Sequence, residues 1–451
     1  MAELPIGAEL ETDGFRKLKV IKELGRGGQG IVYQVTISGK DKALKWYHES
    51  AIKNKKLFFE NLKNNIRIGS PADCFLWPQD SVQSEKYHSF GYIMDLRPPE
   101  YIGMPRFLLK QKFDSFRARA NAMINLVNGF RILHNQGFTY QDLNDGNFFI
   151  NPHNGDVLIC DNDNVSYPGY STGILGKCRY MAPEIVLGQK LPDKATDRFS
   201  LALLLFELIC KSHPLEGAGA TPPCMTPSIE VAIYGRNPVF IFDPTNNSNR
   251  PVRGIHTNAI TMWPQLPDYM KEAFQRSFSK DAMTFNAESK TYVAPRLIER
   301  EWLDILIRFR NSIVVCTCGN EEFVNQRKIV CSSCGKRLPL ANFVKTYKTI
   351  EKTGGGIREP YHVIPVYPGV RIMRLEIENC TDDQAISPVA EVLEAPGRVN
   401  DPGNYGIKNV SKETWRCITS TGKQRNLAPG EVMPAKAGIK VYPGKGEMEI
   451  I

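Results

Sequence analysis

Long hydrophobic runs are missing from this chain of 451 residues. The longest strongly apolar stretch, Leu201 to Cys210, is about half of what a bilayer crossing needs, and the N-terminus has no basic region leading into an apolar one. No membrane association is expected, and a cytoplasmic location is the default. Low-complexity segments are also lacking, and a composition of 42% hydrophobic and 23% charged residues is that of a chain that folds throughout. The net charge of +9 is spread thinly over this length, so it gives no case for a nucleic-acid partner. A secreted disulfide framework is excluded as well: of eleven cysteines, seven stand singly and four cluster between residues 316 and 334. At about 100 to 200 residues per domain, the length predicts about two to four domains.

The N-terminal part has strand character from Leu18 to Leu24, a glycine-rich turn Gly25-Arg26-Gly27-Gly28-Gln29-Gly30, a second strand Ile31 to Ile37, the turn Ser38-Gly39, and a third strand Ala43 to Tyr47. Glycines at a hairpin tip let the backbone approach phosphate oxygens closely. A dinucleotide-binding fingerprint would instead open a helix, whereas the β-branched Ile31 and Val32 follow here. The other half of the pattern is Asp142-Leu143-Asn144-Asp145-Gly146-Asn147, with Asp161-Asn162-Asp163 further on. Each such residue alone is an ordinary turn former. Their order and spacing match what phosphoryl transfer requires: one carboxylate to orient the attacking hydroxyl, and an amide oxygen with a second carboxylate to hold magnesium.

Together with Ala43-Leu44-Lys45, with Gly176-Lys177-Cys178-Arg179-Tyr180-Met181-Ala182-Pro183-Glu184, with Asp197 before an apolar helix and with Trp302, these segments resemble the protein kinase family. The resemblance implies a bilobal fold, ATP and Mg2+ as cofactors, and Ser/Thr hydroxyls of partner proteins as acceptors. It places Gly25, Gly27, Gly28 and Gly30 over the phosphates and Lys45 against them, with Glu60 of an expected helix from Ser50 to Leu62 as the lysine's partner and Glu49 as a rival. By the same resemblance Val32 and Ala43 would lie above adenine and Phe149 below it, Met94 would be the gatekeeper, and the hinge backbone of Asp95, Leu96 and Arg97 would hydrogen-bond the ring. Asp142 orients the substrate hydroxyl, Asn147 and Asp161 bind magnesium, and Asp197 holds the catalytic loop.

Three positions depart from the family. Gln141 stands where an arginine usually precedes the catalytic Asp, making this a non-RD type, so a phosphate on Ser171 or Thr172 has no guanidinium to meet there. Asn144 stands where the loop usually has Lys, and Lys177 where the activation segment usually has Thr. The exchange implies that Lys177 reaches back toward Asp142 and the γ-phosphate, the alternative being an exposed loop lysine.

Cys316-x-Cys318 and Cys331-x-x-Cys334, each followed by Gly, form a zinc-ribbon pattern, with four thiolates for one structural Zn2+. Beyond Val344, short strands at Val363 to Tyr367, Arg371 to Glu378, Val389 to Leu393, Trp415 to Thr419 and Gly438 to Tyr442 predict an all-β sandwich. It resembles a forkhead-associated-like domain, without that family's Ser-x-x-His and preceding Arg. The expected organisation is multidomain α+β. It comprises a kinase small lobe over 1–96, a large helical lobe over 97–312 with an insertion at about 214–267, a zinc ribbon over 313–340 and a β-sandwich over 341–451. The whole is similar to bacterial Ser/Thr kinases accompanied by von Willebrand A-domain and metal-dependent phosphatase proteins. A nucleotide-binding pseudokinase scaffold and a small-molecule kinase are the competing readings.

Overall fold

A computed structural model describes residues 3–52, 54–170, 176–220, 222, 224–352, 355–396 and 400–451. The chain divides into two compact units, one built from 1–114, 125–264 and 272–299, the other from 115–124, 265–271 and 300–451.

The first unit opens with strands β1 (Glu9–Glu11), β2 (Lys17–Arg26), β3 (Gly30–Ile37) and β4 (Lys40–Tyr47). Helix α1 (Lys55–Ile68) follows, then β5 (Asp80–Ser84) and β6 (Ser89–Met94). The strands form one antiparallel sheet in the order β1-β2-β3-β4-β6-β5. Ser38 and Gly39, both at positive φ, make the tight β3–β4 turn whose twist suits a two-residue hairpin. Side chains alternate along β4: Leu44 and Trp46 join Val20, Ile31, Tyr33 and Val35 on one face, while Ala43 and Tyr47 join Phe58 and Leu62 of α1 on the other. Lys45 has the same parity as Ala43 and Tyr47, so the pleat directs it to the α1 side of the sheet. Helix α1 begins later than expected because Asn54 caps it, its Oδ1 accepting from Leu57 N at 3.1 Å.

Next come β7 (Ile102–Gly103), α2 (Met104–Leu109), α3 (Phe116–Asn135), β8 (Phe148–Ile150), β9 (Val157–Ile159), α4 (Pro183–Val186) and α5 (Lys194–Cys210). Strands β7, β8 and β9 pair as a small antiparallel sheet that carries the segments around Asp142 and Asp161. Helix α5 is buried along almost its whole length and begins with a capping box. Asp193 accepts from Ala195 N (2.9 Å) and Thr196 N (3.0 Å), and Thr196 Oγ1 accepts from Asp193 N (3.0 Å). The chain continues through α6 (Pro227–Val231), α7 (Thr257–Met262), α8 (Asp268–Ser277), α9 (Lys280–Met283), β10 (Phe285–Asn286), β11 (Thr291–Tyr292) and α10 (Glu299–Asn311). Within the proline-rich 214–267 segment, buried Asn249 accepts from Gly217 N and Gly219 N and donates to the carbonyls of Leu215 and Val239.

The second unit contains β12 (Ile313–Val315) and β13 (Glu321–Phe323), a hairpin. Ten further strands follow: β14 (Phe343–Lys352), β15 (Gly355–Pro365), β16 (Arg371–Met373), β17 (Pro388–Glu394), β18 (Tyr405–Asn409), β19 (Trp415–Ile418), β20 (Gln424–Leu427), β21 (Val432–Pro434), β22 (Lys440–Tyr442) and β23 (Glu447–Ile450). They form two sheets, β15-β14-β23-β22-β19-β20 and β16-β17-β18-β21. Val344, Ile364, Trp415, Val441 and Met448 from the first share one apolar core with Ile372, Val389, Val392, Ile407 and Met433 from the second, so the pair is a sandwich. No helix among the described residues is long and apolar enough to cross a membrane.

Glu184, of the Ala-Pro-Glu segment, is fully buried and held by Arg296 in a fork of two bonds (2.8 and 2.9 Å) and by the Tyr292 hydroxyl (2.8 Å). Removing one partner leaves a charge without compensation in a site closed to water. Arg296→Leu is expected to cost about 3–5 kcal/mol in denaturant unfolding, whereas exposed Glu49→Ala should stay within about 0.5 kcal/mol.

Candidate active site

The loop that carries Asp142 is fixed from below by one carboxylate. Asp197, buried on α5, accepts from Tyr140 N (2.7 Å), Gln141 N (3.1 Å) and His134 Nε2 (3.0 Å). The other His134 nitrogen meets Glu299 at 2.8 Å, and Arg198 grips Glu299 at 2.8 and 3.0 Å. Burial opposes charge on both groups. The two carboxylates nevertheless hold His134 above its ordinary range, and burial of Glu299 is outweighed by His134 and Arg198, which bring it down to about 2. Gln141 takes φ +72°, a left-handed conformation unusual for a residue with a side chain, and this turns the chain so that Asp142 enters the cleft. Tyr140 packs on Phe130 with ring centroids 5.5 Å apart, and its hydroxyl donates to the Cys160 carbonyl, joining this loop to the residue before Asp161.

Asp142 is crowded by its neighbours. Its Oδ1 accepts from Asn144 Nδ2 at 2.9 Å, and Asn147 Nδ2 donates to its backbone carbonyl at 2.8 Å. Desolvation pushes the carboxyl up to about 6, against the Asn144 bond that lowers it and with the Asp161 charge that raises it. Gly176 passes so close that a Cβ there would lie 2.8 Å from Asp142 Oδ1, so a side chain at that point would push the Asp142 carboxylate aside. Lys177 does not reach Asp142. Its ammonium pairs with Asp145 Oδ1 at 3.1 Å, and 58% of the side chain is exposed. The expected exchange with Asn144 is thereby corrected: Asn144 itself occupies the Asp142 carboxylate, and Asp145 offers the lysine a nearer partner.

Lys45 is buried. Its ammonium lies 2.9 Å from Asp163 Oδ2, 3.2 Å from Asp161 Oδ1 and 3.1 Å from Gln29 Oε1. Burial alone would lower its affinity for the proton. The two carboxylates outweigh that and hold it well above the ordinary lysine range. Glu60, expected as its partner, is exposed on the outer side of α1, as Glu49 is exposed after β4. The reason is helical phase. The buried side of α1 carries Phe58, Asn61, Leu62 and Asn65, and Glu60 lies off it. Asn61 donates to the carbonyls of Asp163 (3.1 Å) and Val165 (3.0 Å), and Asn65 to that of Val165 (2.8 Å). Asp163, Asn61, Asn65, Gln29 and Tyr47 are thus site residues that the motif comparison missed. The i, i+4 spacing of Asn61 and Asn65 alongside Phe58 and Leu62 was the available signal.

The apolar half of the cleft assembles Ala43 and Met94 with Val32, Leu96, Phe149 and Leu158 in one cluster. Arg97 lies over the Phe149 ring, 4.5 Å from its centroid. The Asp95 side chain is exposed and takes up Lys42 and Gln79 instead of facing the slot. At the glycine turn, Cβ positions at Gly25, Gly27 and Gly28 meet nothing within 4 Å, while one at Gly30 would lie 2.2 Å from the Trp46 carbonyl. Gly30 is therefore demanded by the close approach of β4, and the three others leave the tip bare. Gln141 donates to Ser166 Oγ and to Tyr170 O (2.7 Å), tying the catalytic loop to the start of the activation segment. Ser171 and Thr172 lie outside the described residues.

For a divalent cation the donor set fits. Asp161 offers a carboxylate, and the side-chain Oδ1 of Asn147 accepts no hydrogen bond among the described residues. Two carboxylates facing one ammonium also leave an excess of negative charge that a cation would balance.

In the second unit, Cys316, Cys318, Cys331 and Cys334 bring their sulfurs within 4.8 Å of one another, with Cys316–Cys334 at 3.6 Å and Cys318–Cys331 at 3.7 Å. These separations exceed a disulfide bond and match the edge of about 3.8 Å that four Zn–S bonds of about 2.3 Å would give. Gly319 (φ +87°) and Gly335 (φ +71°) make the turns that close each knuckle, bonded back to Cys316 O (2.8 Å) and Cys331 O (3.0 Å).

Residues 18–224 match the protein kinase domain family. The chain is 31% identical to beta-adrenergic receptor kinase 1 of Mesocricetus auratus, covering 42% of this chain and 28% of that protein. It is 25% identical to a probable serine/threonine-protein kinase of Dictyostelium discoideum, covering 52% and 18%, and 24% identical to a serine/threonine-protein kinase of Arabidopsis thaliana, covering 45% and 63%. The chain thus spans less than two thirds of the length of each of these curated relatives. The Asp142 loop, the Lys45 cluster and the apolar slot all lie inside the matched segment, and the chain carries a protein kinase domain whose relatives are serine/threonine kinases.

Proposed function

We propose that this protein transfers the γ-phosphoryl group of ATP to Ser/Thr hydroxyls of partner proteins, in a signalling role of the bacterial type. The observation that carries this reading is the convergence of Lys45 from β4, Asp142 and Asn147 from one loop, and Asp161 from the turn after β9 on one cleft beside an apolar slot. Asp142 would orient the substrate hydroxyl and draw its proton. A carboxyl at about 6 is ionised at neutral pH yet more basic than a free aspartate, which favours that role. Asn147 and Asp161 would hold Mg2+, whose charge would offset that of the phosphates. Lys45 would bind the α and β phosphates, with Gly25, Gly27 and Gly28 presenting bare backbone above them and Val32, Ala43, Met94, Leu96 and Phe149 enclosing adenine.

In the second unit we infer a structural zinc in the four-cysteine cluster, and a forkhead-associated-like sandwich that serves as a docking module for partners. Von Willebrand A-domain and metal-dependent phosphatase proteins are the partners that the family resemblance suggests.

Three outcomes test these readings. Wild type incubated with labelled ATP, Mg2+ and candidate partner proteins should transfer phosphate, and Asp142→Asn should lose about 10³-fold or more in turnover while still binding ATP. No transfer by the wild type above Asp142→Asn, with ATP bound by both, would favour a scaffold. Because the Gln141 amide already bonds Ser166 and Tyr170, the Ser171→Ala/Thr172→Ala double variant and the phosphatase-treated enzyme should keep turnover within about threefold of wild type. Metal analysis should find one zinc per chain, lost in Cys318→Ser along with several degrees of thermal stability of the second unit.

A further inference from the structure

Asp163 follows Asp161 by two positions, and its side chain is 2% exposed. Its Oδ2 faces Lys45 Nζ at 2.9 Å and also accepts from the Tyr47 hydroxyl. Tyr47 and Lys45 both come from β4, so the strand grips one carboxylate at two points. Nothing of the proposed chemistry uses this group, since a metal would take Asp161 and the substrate hydroxyl would take Asp142. A buried ammonium needs a buried counter-charge, and Glu60, the acidic residue expected to give one from α1, is exposed. From α1 the segment receives only neutral amides, Asn61 and Asn65, on backbone carbonyls.

We propose that Asp163 is the positioning residue for Lys45, taking over from α1 the task of aiming the ammonium at the nucleotide phosphates. This rests on the kinase reading. Lys45 is shared between Asp161 and Asp163. If Asp161 were to hold a metal ion, Asp163 would remain as the counter-ion, and the ammonium would keep its place with one partner withdrawn. The lysine and its anchor then belong to the sheet and the metal-binding segment, and a displacement of α1 does not strip the lysine of its charge partner.

The test is Mg-ATP binding by calorimetry, read separately from phosphoryl transfer, in a cycle of Asp163→Asn and Lys45→Met. Asp163→Asn should weaken Mg-ATP about tenfold, and raise the ATP KM by a similar factor, in the wild-type background. In the Lys45→Met background it should weaken binding less than about twofold, because a residue acting through Lys45 has nothing left to position. Glu60→Ala should match wild type in both measurements. Equal weakening by Asp163→Asn in both backgrounds, an unchanged ATP KM, or a loss in Glu60→Ala as large as that in Asp163→Asn would overturn the assignment. If circular dichroism shows that Asp163→Asn is unfolded, Tyr47→Phe takes its place. Loosening the carboxylate should raise the ATP KM about threefold, and no change would overturn the proposal. A wild type that binds Mg-ATP without transferring phosphate overturns the kinase reading alone.

Discussion

The Asp197 carboxylate governs the catalytic half of the cleft. It takes two backbone N–H groups and a histidine, the Tyr140 N–H and His134 buried and the Gln141 N–H partly so. A left-handed Gln141 costs on the order of 1 kcal/mol, and the bond from its N–H to Asp197 offsets that cost. Everything beyond Gln141 inherits the resulting direction: Asp142 enters the cleft, Asn144 folds onto its carboxylate, and Asn147 is drawn under its carbonyl. The carboxylate can do this because α5 is rigid, capped by Asp193 and buried along its length.

Charge in the cleft is arranged around a deficit of cations. Three carboxylates, Asp142, Asp161 and Asp163, face one buried ammonium, and the basic residues that kinase motifs usually place near the catalytic Asp are elsewhere. Gln141 uses neutral hydrogen bonds to hold the activation segment, and Lys177 is spent on Asp145 at the rim. The result is a site whose catalytic loop is tied to the start of the activation segment by an amide. An amide does not titrate and is little screened by salt, so this one link is insensitive to conditions that would weaken an arginine–phosphate pair.

The second unit is held by a different kind of constraint. Its sandwich core joins residues from both sheets, and β14 pairs with β23 across about a hundred residues of chain, closing the sheet through Val344 and Ile450. The cysteine knuckles are local by comparison, each closed by a glycine turn within a few residues. The cysteine cluster is set by short loops and the sandwich by long-range strand pairing, and Tyr367 packs against the cores of both.

The sequence determined what could be decided within short segments. The Asp142 loop, Asp161, the glycine turn with Lys45, and the four cysteines are recognisable because spacing along a few residues fixes which atoms can converge. Five sandwich strands were legible from β-branched and aromatic runs; β14, β18, β20, β21 and β23 were not, because polar residues such as those of Gln424–Leu427 acquire strand structure only from their neighbours. Tertiary structure alone decided the partner of each charge. One residue along a helix is a rotation of about 100°, so whether Glu60 or Asn61 faces Lys45's side depends on how α1 beds its Phe58 and Leu62 against the sheet. Lys177 could have met Asp142 or Asp145, and Lys45 could have met a carboxylate from α1 or from the turn after β9. Those choices are made by distances between segments far apart in the chain, and only packing sets them.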